Sequence, residues 1–171
     1  LGHEVHSAEH DGLGLGAAFR GYYKYPSVGQ PQGVSVLELM MDPYASPLRG
    51  RPVLVQGVAI GRGDAGAYFG EDMMMEDPQG GIILLNYEHW LPLFGNAWFG
   101  YKTVGQLIGV PFQATGWFRR GISQQIDLDE MRFANGEQVS SYTGFWGRFG
   151  GVTLAVIGLL VLVASLAGAS A

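Results

Sequence analysis

Three of the four histidines lie within the first ten residues. On a helix, His3, His6 and His10 would share one face with Glu9 beside them, and imidazoles so spaced are competent ligands for a first-row metal. The glycines at 12, 14 and 16 weaken any such helix, so we expect a solvated arm and no metal centre. The same stretch, DGLGLGAAFRG, has glycine spacing that invites a dinucleotide reading. That fingerprint works only between a strand and a helix that receives the pyrophosphate on its N-terminus. Neither flank is present, and no cofactor is expected. Arg62, Glu71 and Asp72 come from neighbouring segments and would gather as an ion-pair cluster at a barrel mouth, a structural role by default. No constellation of nucleophile, base and acid emerges, so no catalytic residue is assigned.

The composition narrows the partners. The chain has 171 residues, with ten Lys and Arg against fifteen Asp and Glu, a net charge of −5. An acidic surface is a poor electrostatic match for a phosphate backbone, so no nucleic-acid partner is expected, although Trp117 and Phe118 stand beside Arg119. There is no cysteine, which removes disulfides, thiolate chemistry and cysteine-based zinc sites. The chain opens on Leu rather than Met, from which we expect residues upstream to have been removed or to be missing from this sequence. The polar opening (His3, Glu4, His6, Glu9, His10, Asp11) does not read as a secretory signal.

The elements that must position these residues are mostly strands. Residues 1–46 read as an extended arm and linker, interrupted by VSVLELMM (34–41), a short helix or strand ended by Asp42-Pro43. From Val53 the pattern alternates, with Val53, Val55, Gly57 and Ala59 on one face and Leu54, Gln56, Val58 and Ile60 on the other. A second strand is predicted over 68–76, a turn at Asp77–Gly80 and a third strand over 81–87. Met73-Met74-Met75 must then place at least one Met outward. Residues 93–108 lose the alternation and carry apolar residues three and four apart, which predicts a helix loosened by Gly95, Gly100 and Gly105. Strands follow at 111–120 and 124–133, the latter with Ile126, Leu128 and Met131 facing in. Asn135-Gly136 then signals a hairpin, returned by 137–143. Three strands, a helix and two strands is the element order of an OB-like five-stranded barrel. The fold class is therefore mainly β, with the domain over 47–143. The surface candidates are Trp90, Phe94 and Trp98 on the helix, and Arg119 and Arg120 at a strand end in solvent or near lipid headgroups.

Residues 47–143 also resemble a family segment. Gly61-Arg62-Gly63, Gly66, Glu71-Asp72, Asp77, Gly80, Tyr87, Leu91-Pro92-Leu93, Gly105, Leu107-Ile108-Gly109 and Gly116-Trp117-Phe118-Arg119-Arg120 occur in an order similar to the region after the catalytic domain of HtpX-like membrane zinc metallopeptidases. Ser141-Tyr142 leading into a terminal hydrophobic helix is similar too. Such peptidases cut with H-E-x-x-H, two histidines four apart on a helix. This chain has His3-Glu4-Val5-His6, one position short. The resemblance thus implies an accessory domain without catalytic or metal-binding residues.

Residues 149–171 carry no charged side chain, and about 20 helical residues suffice to cross ~30 Å of hydrocarbon. A transmembrane helix is expected within 144–171. Tyr142, Phe145, Trp146 and Phe149 read as its interfacial belt and Arg148 as its flanking charge, which places the barrel on the cytoplasmic side. Gly147, Gly151, Ala155, Gly158, Ser165 and Ala169 line one helix face, where small residues let a second helix approach. The expected partners are membrane lipid and other integral membrane subunits. The expected function is a non-catalytic, single-pass scaffold or accessory subunit of a bacterial membrane complex, of respiratory or photosynthetic type, without a pigment or haem motif of its own. The alternative is the C-terminal part of an HtpX-like peptidase.

Overall fold

The structure, a computed structural model, describes residues 19–27, 29–63, 71–121 and 123–169. Within the last helix, the side chains at 151, 154, 155, 162 and 165–169 lie outside the described set. Two compact units emerge, Pro26–Gly144 and a second that includes the described residues 19–25 and 145–169.

In the larger unit, β2 (Arg51–Arg62) is the longest strand. It pairs antiparallel with β3 (Met73–Glu76) through its second half and with β5 (Pro111–Arg120) through its first. Strand β3 pairs with β4 (Ile82–Asn86), β4 runs parallel to β6 (Gln124–Phe133), and β6 returns antiparallel to β5. The order β2-β3-β4-β6-β5 therefore closes back onto β2 as a five-stranded barrel. Two short strands are added outside it. The first, β1 (Gln32–Gly33), lies parallel to Val53 and Leu54, and β7 (Gln138–Ser140) extends β6.

The alternation along β2 is realised as read, with Val53, Val55 and Ala59 buried inside. In β3, Met73 and Met75 face the core and Met74 stays half-buried. In β6 the inward residues Ile126, Leu128 and Met131 are joined by Phe133 at the strand end. The three-residue step has a cause: Thr115 pairs with Glu130 while Gly116 pairs with Leu128, leaving Asp129 as a bulge. At Gly116 a Cβ would collide with the Asp127 carbonyl oxygen, so only glycine admits this approach. The Asn135-Gly136 turn forms as expected, with Gly136 at φ 85°, the left-handed region glycine favours.

Helices close the barrel from both ends of β4. Residues 34–41 resolve to α2 (Val36–Met41), capped by Ser35 Oγ on the Glu38 N–H at 3.2 Å. Val36 and Leu39 enter the core. Asp77, buried in the β3–β4 turn, accepts from Val36 N at 2.8 Å and Gly81 N at 2.8 Å. The region expected to be one helix is instead α3 (Pro92–Trp98), a π-helical turn (Phe99–Val104) and α4 (Gly105–Leu107). Phe99 and Val104, five apart, both reach the core. The i→i+5 winding brings residues at that spacing onto one side, where α-helical winding would rotate them apart. The domain also starts earlier than 47, because β1 and α2 belong to it.

The second unit contains a helix over 19–24 (α1) and the long helix α5 (Thr143–Ala169), whose first two residues belong to the barrel unit. So the arm is not extended throughout: part of it is helical. A helix does occupy the segment expected to span a membrane. Yet among the described residues no helix is long and apolar enough to cross one.

Candidate functional site

The sequence candidates separate into places that the fold keeps distinct. His3, His6, His10 and Gly66 lie outside the described residues. Among those described, no group of three or more His, Asp or Glu is arranged to hold a metal ion.

The apolar and aromatic residues on α3, just before it and in the π turn are strongly exposed. Leu93 is 85%, Phe94 84%, Trp98 62% and Trp90 56% exposed, with Leu91 and Tyr101 also outward. The opposite side, Gly95, Asn96, Phe99, Gly100 and Val104, is buried. Phe99 stacks on Tyr87 with ring centroids 3.8 Å apart. A Cβ at Gly95 would enter the His89 ring. Gly95 thus serves close packing of an imidazole on the helix, not the looseness anticipated from its sequence position. At the other edge, Lys102 Nζ lies 5.3 Å from the centre of the Trp98 ring.

Asn96 holds this face to the barrel, and sequence inspection missed it. Its Oδ1 accepts from His89 N at 2.6 Å, while its Nδ2 donates to Glu71 at 2.9 Å and Glu88 at 3.1 Å. Its signal was available: a lone amide in the uncharged run from His89 to Tyr101. Glu88 is pushed above the ordinary carboxylate range, first by burial and then by the charge of Glu71, against the lowering effect of the Asn96 bond. The Tyr87 hydroxyl is raised to about 12, by burial and then by Tyr142 and Glu88. Arg62 donates to the Gly100 carbonyl in the π turn, and Asp72 accepts from Tyr87 N at 3.3 Å. Arg62 and Glu71 thus both bond the helical segment, and Asp72 bonds the strand end that leads to it.

The exit of the chain from the barrel is latched to the same segment. Tyr142 N donates to the Glu88 carbonyl at 2.7 Å, Glu88 N to Ser141 Oγ at 3.1 Å, and Thr143 Oγ1 to the Asn86 carbonyl at 3.5 Å. Nearby, Trp117 is buried beneath Pro26, whose carbonyl accepts its indole N–H at 2.7 Å, and Gly144. A Cβ at Gly144 would come within 2.6 Å of the Trp117 ring. With Phe118 in the core, neither ring presents a face to a nucleobase.

Arg119 requires a correction. Its side chain is 17% exposed and forms a bidentate pair with Asp127, which is fully buried. It is therefore neither at a solvent-facing strand end nor on the contact surface. Burial alone would raise the Asp127 carboxyl, but Arg119, with Asn86 and Gln125, holds it below its ordinary value. Arg120 is exposed, as expected, and donates to the Asp42 carbonyl at 3.0 Å.

Within the second unit, Phe145, Trp146 and Phe149 form one aromatic cluster with centroid separations of 5.3–5.7 Å. Arg148 donates through Nε and Nη2 to the Tyr25 carbonyl at 3.2 and 2.6 Å, capping the end of α1. The Tyr25 ring lies against Gly147, and a Cβ at Gly21 would come within 2.6 Å of the Gly147 carbonyl oxygen. The first small residue of the expected packing face therefore receives a helix of the same chain. At Gly151, Ala155, Ser165 and Ala169 the face lies outside the described side chains, and Gly158 is half-buried.

The strand order and the parallel β4–β6 pair define an OB-like closed barrel. No family model and no curated protein matches the chain. Among solved structures it is similar to the hypothetical protein YgiW from E. coli, at 14% identity over 62% of this chain and 99% of that one, with a TM-score of 0.40. The barrel assignment rests on the strand order and register.

Proposed function

We propose that this protein is a non-catalytic, membrane-anchored OB-like module that serves as a scaffold or accessory subunit of a larger membrane protein complex. One observation carries the reading: the barrel's last residues run without a break into the 27-residue helix α5, whose sequence after Arg148 is uncharged. The support is compositional: residues 149–171 carry no charge, and about 20 apolar helical residues suffice to cross a hydrocarbon core. The aromatic cluster at 145–149 has the composition of an interfacial belt. The exposed aromatic face on α3 adds a contact surface, and other integral membrane subunits are the partners it would serve. The barrel lies on the cytoplasmic side in this reading, with Arg148 as the flanking charge.

The test is extraction of native membranes with alkaline carbonate, followed by mild-detergent purification and identification of co-migrating chains. Retention in the membrane pellet and a stoichiometric set of partners are expected. Release as a lone soluble chain would overturn the proposal. The family resemblance favours a second reading, the C-terminal part of an HtpX-like peptidase. Intact-mass measurement of the native polypeptide separates the two: 18.4 kDa supports the first, and a much heavier species the second.

A further inference from the structure

We infer that the exposed face of α3 and the π turn is a second, monotopic membrane contact that rests in the lipid headgroup region of the bilayer. The inference builds on the anchoring reading and adds a surface of the barrel itself. Between Glu88 and Lys102 no residue is charged. The outward positions there are Trp90, Leu91, Leu93, Phe94, Trp98 and Tyr101. Isolated exposed apolar residues are ordinary, but a contiguous set of this size marks a surface that another phase or molecule covers.

Two observations select lipid as the occupant. The first is composition: Trp and Tyr with Leu and Phe, bounded by a Lys whose ammonium lies over the Trp98 ring, is the pattern of a helix lying in the interface plane. The second is continuity. Asn86 and Glu88, just before this face, are hydrogen-bonded to Ser141, Tyr142 and Thr143, where the chain leaves the barrel to enter α5. An exit point at the bilayer surface brings the start of the aromatic face to that surface. Asn96 and Gly95, turned inward on Glu71, Glu88 and His89, fix which side of the helix faces out.

The absence of cysteine makes a direct test clean. Three variants of the full chain, Phe94→Cys, Leu160→Cys and Gln138→Cys, each carry one environment-sensitive fluorophore in phosphatidylcholine vesicles. The lipids bear nitroxides either near the headgroup or at the chain end. All three positions are exposed, so the substitutions leave the fold intact. The label at 94 is expected to lose most of its emission to the shallow nitroxide, that at 160 to the deep one, and that at 138 to neither. Quenching at 160 without quenching at 94 overturns the inference and leaves the anchor standing. A blue-shifted but unquenched label at 94 also overturns it, since a protein partner or a second copy then covers the face. Quenching at 94 alone keeps the interfacial surface and rejects the span. Quenching at neither overturns both.

Discussion

Arg119 commits two guanidinium nitrogens to one buried carboxylate, reaching Asp127 at 2.6 and 2.8 Å. The pair joins neighbouring strands β5 and β6, and Asn86 and Gln125 satisfy the remaining acceptor capacity at 2.9 Å each. Removing one partner of such a pair strands the other charge. Asp127→Asn is therefore expected to destabilise the barrel by about 3 kcal/mol, measured by urea unfolding. The double change Arg119→Met with Asp127→Leu should recover much of that loss.

The same pair sets an acid limit. The folded carboxyl titrates below its ordinary 3.8, so its contribution is fully present above that value. It is lost as pH falls below it, through the depressed folded pKa. The unfolding midpoint of the native chain should drop over this range, and the Asp127→Asn variant should show a shallower acid limb. Identical limbs would refute the assignment.

Glu88 works in the opposite sense. Its folded pKa is raised above 4.5, so its contribution to stability is present below that value and is lost as pH rises through the folded pKa. Glu88→Gln keeps the acceptor for Asn96 and removes the charge beside Glu71. It is expected to stabilise the barrel slightly at pH 7 and to make no difference at pH 3, as read by thermal unfolding at both pH values.

Gly116→Ala tests the bulge. Its Cβ would meet the Asp127 backbone, which cannot rotate away as a side chain can. A loss of about 1–3 kcal/mol is expected. Ala at Gly61, where nothing lies within 4 Å, should cost far less. Equal losses would show that the close approach does not govern stability.

Arg148→Ala removes both hydrogen bonds to the Tyr25 carbonyl, and Gly147→Leu drives a side chain into the Tyr25 ring. Each should release α1 from α5 and speed proteolysis at Arg20 and Lys24, while the unfolding of Pro26–Gly144 stays unchanged. Limited trypsinolysis followed by mass analysis reads both. If cleavage at 20–24 is no faster, the contact is incidental.

Much of the barrel was legible in the sequence because strands obey a local rule. Strands β5 and β6 begin and end where alternation and turn residues place them, and even the bulge left a trace in the three-residue step from Leu128 to Met131. What was not legible depends on distant partners. Nothing near Arg119 announces a buried aspartate on the next strand, so a basic pair at a strand end read as solvent-facing. Asn96 was the one polar side chain on the inner side of an aromatic helix, and its inward turn follows from carboxylates at 71 and 88. The helix over 19–24 is only six residues long, with Gly21 and two tyrosines among them, and has little intrinsic helix preference. It forms where Gly147 and Arg148 receive it, far along the chain.

Closure of the barrel has a temporal consequence. Strand β2 finds β3 close by, but its other edge waits for β5, with Arg51 opposite Phe118. On the ribosome, β2 emerges long before its second partner and holds a hydrogen-bonding edge unmatched for the synthesis time of the intervening residues. Contacts of such sequence separation slow folding, so the barrel completes late, shortly before α5 is made. If α5 is drawn into a membrane as it appears, folding of the barrel and insertion of the helix compete on the same clock.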